Sequence, residues 1–373
     1  MIIFIFIFFL TIIVSYLLSL YASRSYKVNR KKSRSFAVLA LLVVFLFMAT
    51  RYDIGRDFQN YFFDYSTFSD SDYGFGRRFS FEYMNYIVLT ICHTFKTGPI
   101  GYFVLTSFMT ITLFFFVFKD KLFLLPYAII VFFLCGSYTF AINGIRQAMA
   151  IFSVIYALTP VMGKDKPSLL HYIMWMGIAF ICHNSALFFT PLYFLYVKNV
   201  THIFNSNILV LIAVGGFLAN QLGFSDLIPS YLFVDTENIY TKQATNAIVN
   251  TNASQLSIAY LINFIAYILP LFFADKIEKK YPESKKYFVL YAFGVALYYF
   301  VGANLYLIRL SYFLLFFNIL VYPYFYSYFR YNTKNNLISS VVNIWFAIYF
   351  LGKMSEFWSM QIGLNPSVYG IRL

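Results

Sequence analysis

Apolar stretches long enough to cross a bilayer follow one another along nearly the whole of this chain. A helix needs roughly 20 apolar residues to cross the hydrocarbon core. Only a helix or a closed barrel satisfies its backbone hydrogen bonds there. We read crossings near 2–22, 36–50, 99–118, 122–140, 145–162, 168–182, 184–197, 207–223, 256–274, 287–303, 306–329 and 337–352. Hydrophobic residues make up 61% of the 373 and charged ones 12%. A soluble domain carries roughly 25% charge, so too little polar surface is present to face water. The same hydrophobicity excludes a disordered chain. The expected fold is all-α, a polytopic integral membrane helical bundle of about 12 transmembrane helices. No repeat or Pro/Gly/Ser-rich linker divides it, so 1–373 reads as one transmembrane domain with outer segments 51–98 and 224–255. The first apolar run has no basic region before it and no clear cleavage site, so it reads as a retained span.

The net charge of +13 would point a soluble protein toward nucleic acid. In a membrane protein it reports orientation, because Lys and Arg concentrate in cytoplasmic loops. Arg24, Lys27, Arg30, Lys31, Lys32 and Arg34 fill one short loop that holds no acid. That loop is inside, which puts the N-terminus and Arg51–Arg78 outside. The segment 79–95 is apolar but holds Glu82, Asn85 and His93. If it lies along the outer interface, Lys119–Lys121, Lys164–Lys166, Lys198, Lys276–Lys286 and Arg330/Lys334 all fall inside. That arrangement gives both termini outside, with the whole charge excess cytoplasmic.

Ten basic residues then remain outside against the general tendency, six of them Arg near a span or in the first loop: Arg51, Arg56, Arg77, Arg78, Arg146 and Arg309. Arg keeps its charge and matches phosphate with a planar fork of donors. A cluster of Arg at the outer mouth of a bundle fits a polyanionic head group such as a lipid diphosphate. Each could instead pair with a local acid or a lipid phosphate, and Asp53, Asp57, Asp64, Asp70, Asp72 and Glu82 lie close in sequence to those of the first loop.

Three constellations stand out. In Arg51-Tyr52-Asp53-Ile54-Gly55-Arg56-Asp57, followed by Tyr61, Gly55 permits a tight turn that would let Arg51 and Arg56 converge. In Asn143-Gly144-Ile145-Arg146-Gln147-Ala148-Met149-Ala150, Asn-Gly ends one helix and Asn143 is expected to cap the next. Arg146 and Gln147 then occupy a first turn whose backbone N–H groups already favour anions. Cys182-His183-Asn184-Ser185 sits between two short apolar stretches, where His183 can transfer a proton near neutral pH or simply be hydrogen-bonded at a helix break. Arg309, near the start of an aromatic-rich span, is expected to face the interior. Cys92, Cys135 and Cys182 read as small buried hydrophobes. No Gly-x-x-x-x-Gly-Lys loop, clustered His/Cys zinc spacing or Gly-x-Ser-x-Gly element is present, so no metal and no cofactor are expected.

These three motifs, in this order in a polytopic chain of this size, resemble the EpsG family, Wzy-like polymerases of bacterial exopolysaccharide, capsule and O-antigen. The match lies in the N-terminal half. Members commonly carry a small residue where Arg56 stands. The resemblance implies a glycosyltransferase of GT-C-like architecture in the bacterial cytoplasmic membrane. It would polymerise undecaprenyl-diphosphate-linked oligosaccharide repeat units at the outer face, alongside a flippase and a chain-length regulator, without nucleic acid. Arg51, Arg146 and Arg309, with Arg56 and Gln147, would hold the diphosphate. Asp57 and His183, with Asp53 behind them, are the candidates for the base. Competing readings are a flippase or transporter of the same lipid-linked sugar, and an O-antigen ligase or membrane acyltransferase.

Overall fold

The computed structural model describes residues 2–51, 54–55, 57–69, 82–159, 167–197, 200–224, 258–302, 305–332 and 344. Among the described residues every regular element is helical. The helices gather into two compact units, divided between Tyr193 and Phe194.

The first unit opens with α1 (Ile2–Ser25) and α2 (Arg30–Ala49). The basic turn between them is closed by Asn29, whose side chain accepts from the Lys32 N–H at 2.9 Å, satisfying one donor of the new helix. Two short helices follow, α3 (Phe58–Ser66) and α4 (Tyr83–Thr94), and then the long α5 (Gly98–Phe118). The expected crossing at 122–140 is broken into α6 (Leu125–Leu134) and α7 (Ser137–Asn143), inclined at 61°. Gly136, at φ 83°, makes that break. Its left-handed backbone ends α6 in a conformation that a side chain would strain. Then come α8 (Ile145–Ala157) and α9 (Leu169–Cys182), whose N-cap Ser168 accepts from the His171 N–H. The expected crossing at 184–197 is a 3-10 turn (Asn184–Phe189) followed by α10 (Leu192–Val197). That turn runs back along α9, where the Tyr172 hydroxyl reaches the Phe189 and Thr190 carbonyls at 3.0 and 2.8 Å.

The polar contacts fix which helix ends lie together. At one end, Arg34 pairs with Asp120 at 3.5 Å and the Tyr26 hydroxyl donates to the Asp120 carbonyl. Lys119 reaches the Tyr156 hydroxyl, and His171 Nε2 lies 3.1 Å from the Tyr156 carbonyl. The α1–α2 turn, the α5–α6 turn, the end of α8 and the start of α9 therefore share one end. At the other, Arg51 lies beyond α2, with its guanidinium over Phe103 near the start of α5. The chain from 51 to 97 thus leaves and returns at the same end. Within it α4 spans 12 residues, roughly 18 Å at a helical rise, too short for a crossing.

Aromatic rings fill the interior of this unit. Phe8 packs edge-on to Phe133 at 5.5 Å, Tyr138 stacks on Phe47 at 5.6 Å, and Phe114 meets Phe132 and Phe152. Lipid is as apolar as these rings, so it is their close fit, rather than removal from water, that holds helix to helix. Cys92, Cys135 and Cys182 are free and buried, as expected.

The second unit contains α11 (Ser206–Gln221), α12 (Ile258–Ile268), α13 (Ala274–Lys280), α14 (Lys285–Val301), α15 (Leu305–Leu315) and α16 (Asn318–Asn332). Its basic loop is latched. Lys285 Nζ donates to Asp275 at 2.6 Å and Glu278 at 2.7 Å, while Asp275 and Ser206 exchange two hydrogen bonds of 2.9 Å.

Phe6–Ser25, Arg30–Ala49, Gly98–Phe118, Tyr260–Lys280 and Leu307–Arg330 are long and apolar enough to cross a bilayer, and the bent α6–α7 pair makes a sixth candidate. The described helices therefore give a multi-pass membrane protein with fewer full-length spans than the twelve expected. The shortfall arises where 122–140 bends, where α8, α9, α11 and the 17-residue α14 stop short, and where 184–197 is irregular. The crossing at 337–352 and nearly all of outer segment 224–255 lie outside the described residues.

Candidate functional site

Three breaks in the helices meet at the end of the first unit away from Asp120: the exit of α2, the junction of α7 with α8, and the end of α9. The junction forms because Gly144, at φ −91° and ψ 53°, leaves the helical conformation and becomes the N-cap of α8. A glycine has no side chain with which to cap. Asn143, expected to do so, is instead the last residue of α7. Its Nδ2 donates to the Thr139 carbonyl at 2.9 Å, and its Oδ1 accepts from the Asp57 N–H at 3.3 Å. The capping role falls to Tyr61. Its hydroxyl donates to the Asn143 carbonyl at 2.6 Å and accepts from the Ile145 N–H at 3.1 Å. One phenol thereby joins the last carbonyl of α7 to the first N–H of α8, two groups a helix break otherwise leaves unpaired. Burial pushes this hydroxyl up to about 12, so it stays protonated and able to donate.

The outer segment is seated on this junction by Gly55. Its φ is +108°, and a Cβ there would stand 2.8 Å from Asn143 Oδ1. Glycine is required both for the conformation and for the contact.

Arg51 lies behind the junction, 5% exposed. It donates to the Met48 carbonyl at 3.3 Å and the Ile142 carbonyl at 3.4 Å, and its guanidinium carbon sits 4.6 Å from the Phe103 ring centre. It ties the C-terminal ends of α2 and α7, where the helix dipoles favour a cation. Its Nε is buried without a hydrogen-bond partner.

Arg146 stands in the first turn of α8, as expected, and its Nη1 donates to Glu82 Oε2 at 2.5 Å. The Arg146 side chain is 26% exposed and that of Glu82 11%, so Arg146 is the more accessible partner of the pair. Glu82 precedes α4 and has two further groups beside it. His183 Nδ1 is 3.8 Å from its Oε1, and the Asn184 N–H donates to the carboxylate. Burial raises the Glu82 carboxyl above the ordinary range, with Arg146 and the Asn184 N–H pulling back against it. His183 ends α9. Its Nδ1 accepts from the Ser185 hydroxyl at 2.8 Å and the Ser185 N–H at 3.3 Å. In that arrangement a neutral ring carries its proton on Nε2.

The remaining candidates are distributed as follows. Gln147 is buried at 4% exposure beside Arg146 on α8. Asp57 is half-buried at the start of α3, its Oδ1 accepting from Asn60 Nδ2 at 3.2 Å. Asp53, Arg56, Arg77 and Arg78 lie outside the described residues. Arg309 belongs to the second unit, where it is exposed on α15 rather than facing the interior as expected. The residue missing from the sequence-derived site is Glu82. The available signal was a lone carboxylate within the apolar stretch 79–95. Among the described residues no three His, Cys, Asp or Glu side chains converge as metal ligands.

Among the described residues, an all-helical architecture with several helices long and apolar enough to span a bilayer, and an ion-paired polar cluster where helices break, defines a multi-pass membrane protein. The chain belongs to the EpsG family, whose model matches residues 34–365. No curated protein and no solved structure matches it.

Proposed function

We propose that this protein is a membrane polysaccharide polymerase. It transfers a growing glycan from its undecaprenyl diphosphate carrier to the next lipid-linked repeat unit, at the outer face of the bacterial cytoplasmic membrane. One observation carries the reading: Arg146, partly exposed in the first turn of α8, pairs with Glu82, whose other oxygen stands 3.8 Å from His183. Family membership and the apolar helices support it.

The chemistry needs an anion site and a base. The acceptor hydroxyl oxygen bonds to the anomeric carbon as the bond from that carbon to the diphosphate breaks. The bonding pair leaves on the diphosphate, so negative charge grows on phosphate oxygens. A preorganised guanidinium at a helix N-terminus stabilises that charge more in the transition state than in the ground state. Arg146 takes this role, with Gln147 next to it in sequence and Arg56 as a further donor. Arg51, its donors directed to carbonyls, braces the junction from behind. The hydroxyl proton passes to His183 or Asp57, with Asp53 the third candidate. A GT-C-like helical frame, a flippase that supplies the units and a chain-length regulator complete the proposal.

The test is reconstitution. Purified protein in proteoliposomes, given lipid-linked repeat units, should yield a ladder of polymer. Movement of the units across the bilayer without new glycosidic bonds would replace this reading with that of a flippase.

A further inference from the structure

We propose that Glu82 exchanges partners during turnover and is the positioning residue that couples donor binding to the base. The inference rests on the polymerase reading. In the structure Glu82 holds Arg146 at 2.5 Å, while its other oxygen stands 3.8 Å from His183 Nδ1. The same carboxylate also receives the Asn184 N–H, one residue beyond that histidine. Glu82 thus occupies a guanidinium donor that a diphosphate would take, and it is tethered beside the imidazole it does not yet hydrogen-bond.

A lipid diphosphate carries more negative charge than one carboxylate and matches the guanidinium fork. When it takes Arg146, Glu82 loses its ion-pair partner and keeps the Asn184 N–H, and a buried carboxylate without a counter-charge is costly. His183, 3.8 Å away, is placed to pair with it. Shortening the 3.8 Å separation to a hydrogen bond requires a proton on Nδ1. The neutral ring then moves its proton from Nε2 to Nδ1 by exchange with solvent, Nδ1 swings off both the Ser185 hydroxyl and the Ser185 N–H toward Glu82, and the Nε2 lone pair becomes the base. It accepts the acceptor hydroxyl proton as the new glycosidic bond forms and the diphosphate leaves on Arg146. Glu82 faces the resulting imidazolium and stabilises it. With no donor bound, the carboxylate stays on Arg146 and the ring stays in its inactive tautomer. Water is therefore not activated while the site waits.

The experiment uses full-length protein in nanodiscs, with undecaprenyl diphosphate as the binding probe and lipid-linked repeat units as substrate. Glu82→Gln removes the competing charge and the partner of His183 together. It should bind undecaprenyl diphosphate several-fold more tightly and show a lower donor KM, while kcat falls about 100-fold. Glu82→Asp keeps the charge and should recover a substantial part of kcat. Should Glu82→Gln not fold, Glu82→Ala, which also removes the charge, should show the same opposed change of KM and kcat. Weaker probe binding by the variant that lacks the charge, or an unchanged kcat in it, would overturn the exchange and leave Glu82 a structural ion pair. Tighter binding by Glu82→Gln in a protein that makes no polymer would retain the Arg146–Glu82 competition and reject the polymerase reading alone.

Discussion

Arg146 and Glu82 stand 64 residues apart in sequence and 2.5 Å apart in space, the one joining α8 to the segment that enters α4. Arg146→Ala leaves the Glu82 carboxylate buried without its counter-charge, with the Asn184 N–H still donating to it. We expect chain elongation to be lost and stability to fall by about 3–5 kcal/mol, the usual cost of removing one partner of a buried pair. Arg146→Lys keeps the charge without the fork and should retain only part of the activity. Polymer ladders and thermal melting of the purified variants measure both effects. Full elongation by an Arg146→Ala protein that inserts normally would exclude the diphosphate role.

Tyr61→Phe removes one oxygen and leaves the Asn143 carbonyl and Ile145 N–H without their shared partner. The expected loss is about 1–3 kcal/mol. Elongation should fall because Arg146 stands one residue beyond Ile145. A variant with wild-type melting and wild-type elongation would mean that the hydroxyl does not set the junction.

Gly55→Ala places a methyl group 2.8 Å from Asn143 Oδ1 in a backbone at φ +108°. Strain of this kind costs about 1–3 kcal/mol, and the outer segment should lift from the α7–α8 junction. Faster proteolysis within 54–69, with the rest of the chain protected, is the expected signature. An unchanged cleavage pattern would count against this seating.

Orientation can be read by labelling, because the native cysteines are all buried and give little background. Asp120→Cys lies among the contacts of the basic end and should be protected from an impermeant thiol reagent until cells are permeabilised. Ser66→Cys, exposed on α3, should label in intact cells. The reverse pattern would turn the protein over in the membrane and remove the outer-face site.

Much of this was legible in the sequence, because hydropathy accumulates along contiguous residues. The apolar runs by themselves gave a helical membrane protein. The placement of 79–95 outside the spans followed from charge alone, and it agrees with a helix too short to cross and with a chain that leaves and returns at one end. The Arg51–Tyr61, Gly144–Ala150 and His183–Ala186 motifs were each visible as local departures from apolar sequence. Arg146 stands where its Asn-Gly break predicted, in a first helical turn.

Only the tertiary structure decided who partners whom. Composition cannot tell that Glu82 pairs with Arg146, that Tyr61 rather than Asn143 joins the broken helices, or that Arg51 is directed to carbonyls while Arg309 is exposed. Each outcome depends on which helix ends pack together. Burial then makes an unpaired charge or backbone group too costly to leave, so the packing selects its partner from whatever it brings within a few ångströms. The sequence supplied the charges and the breaks; the fold assigned their roles.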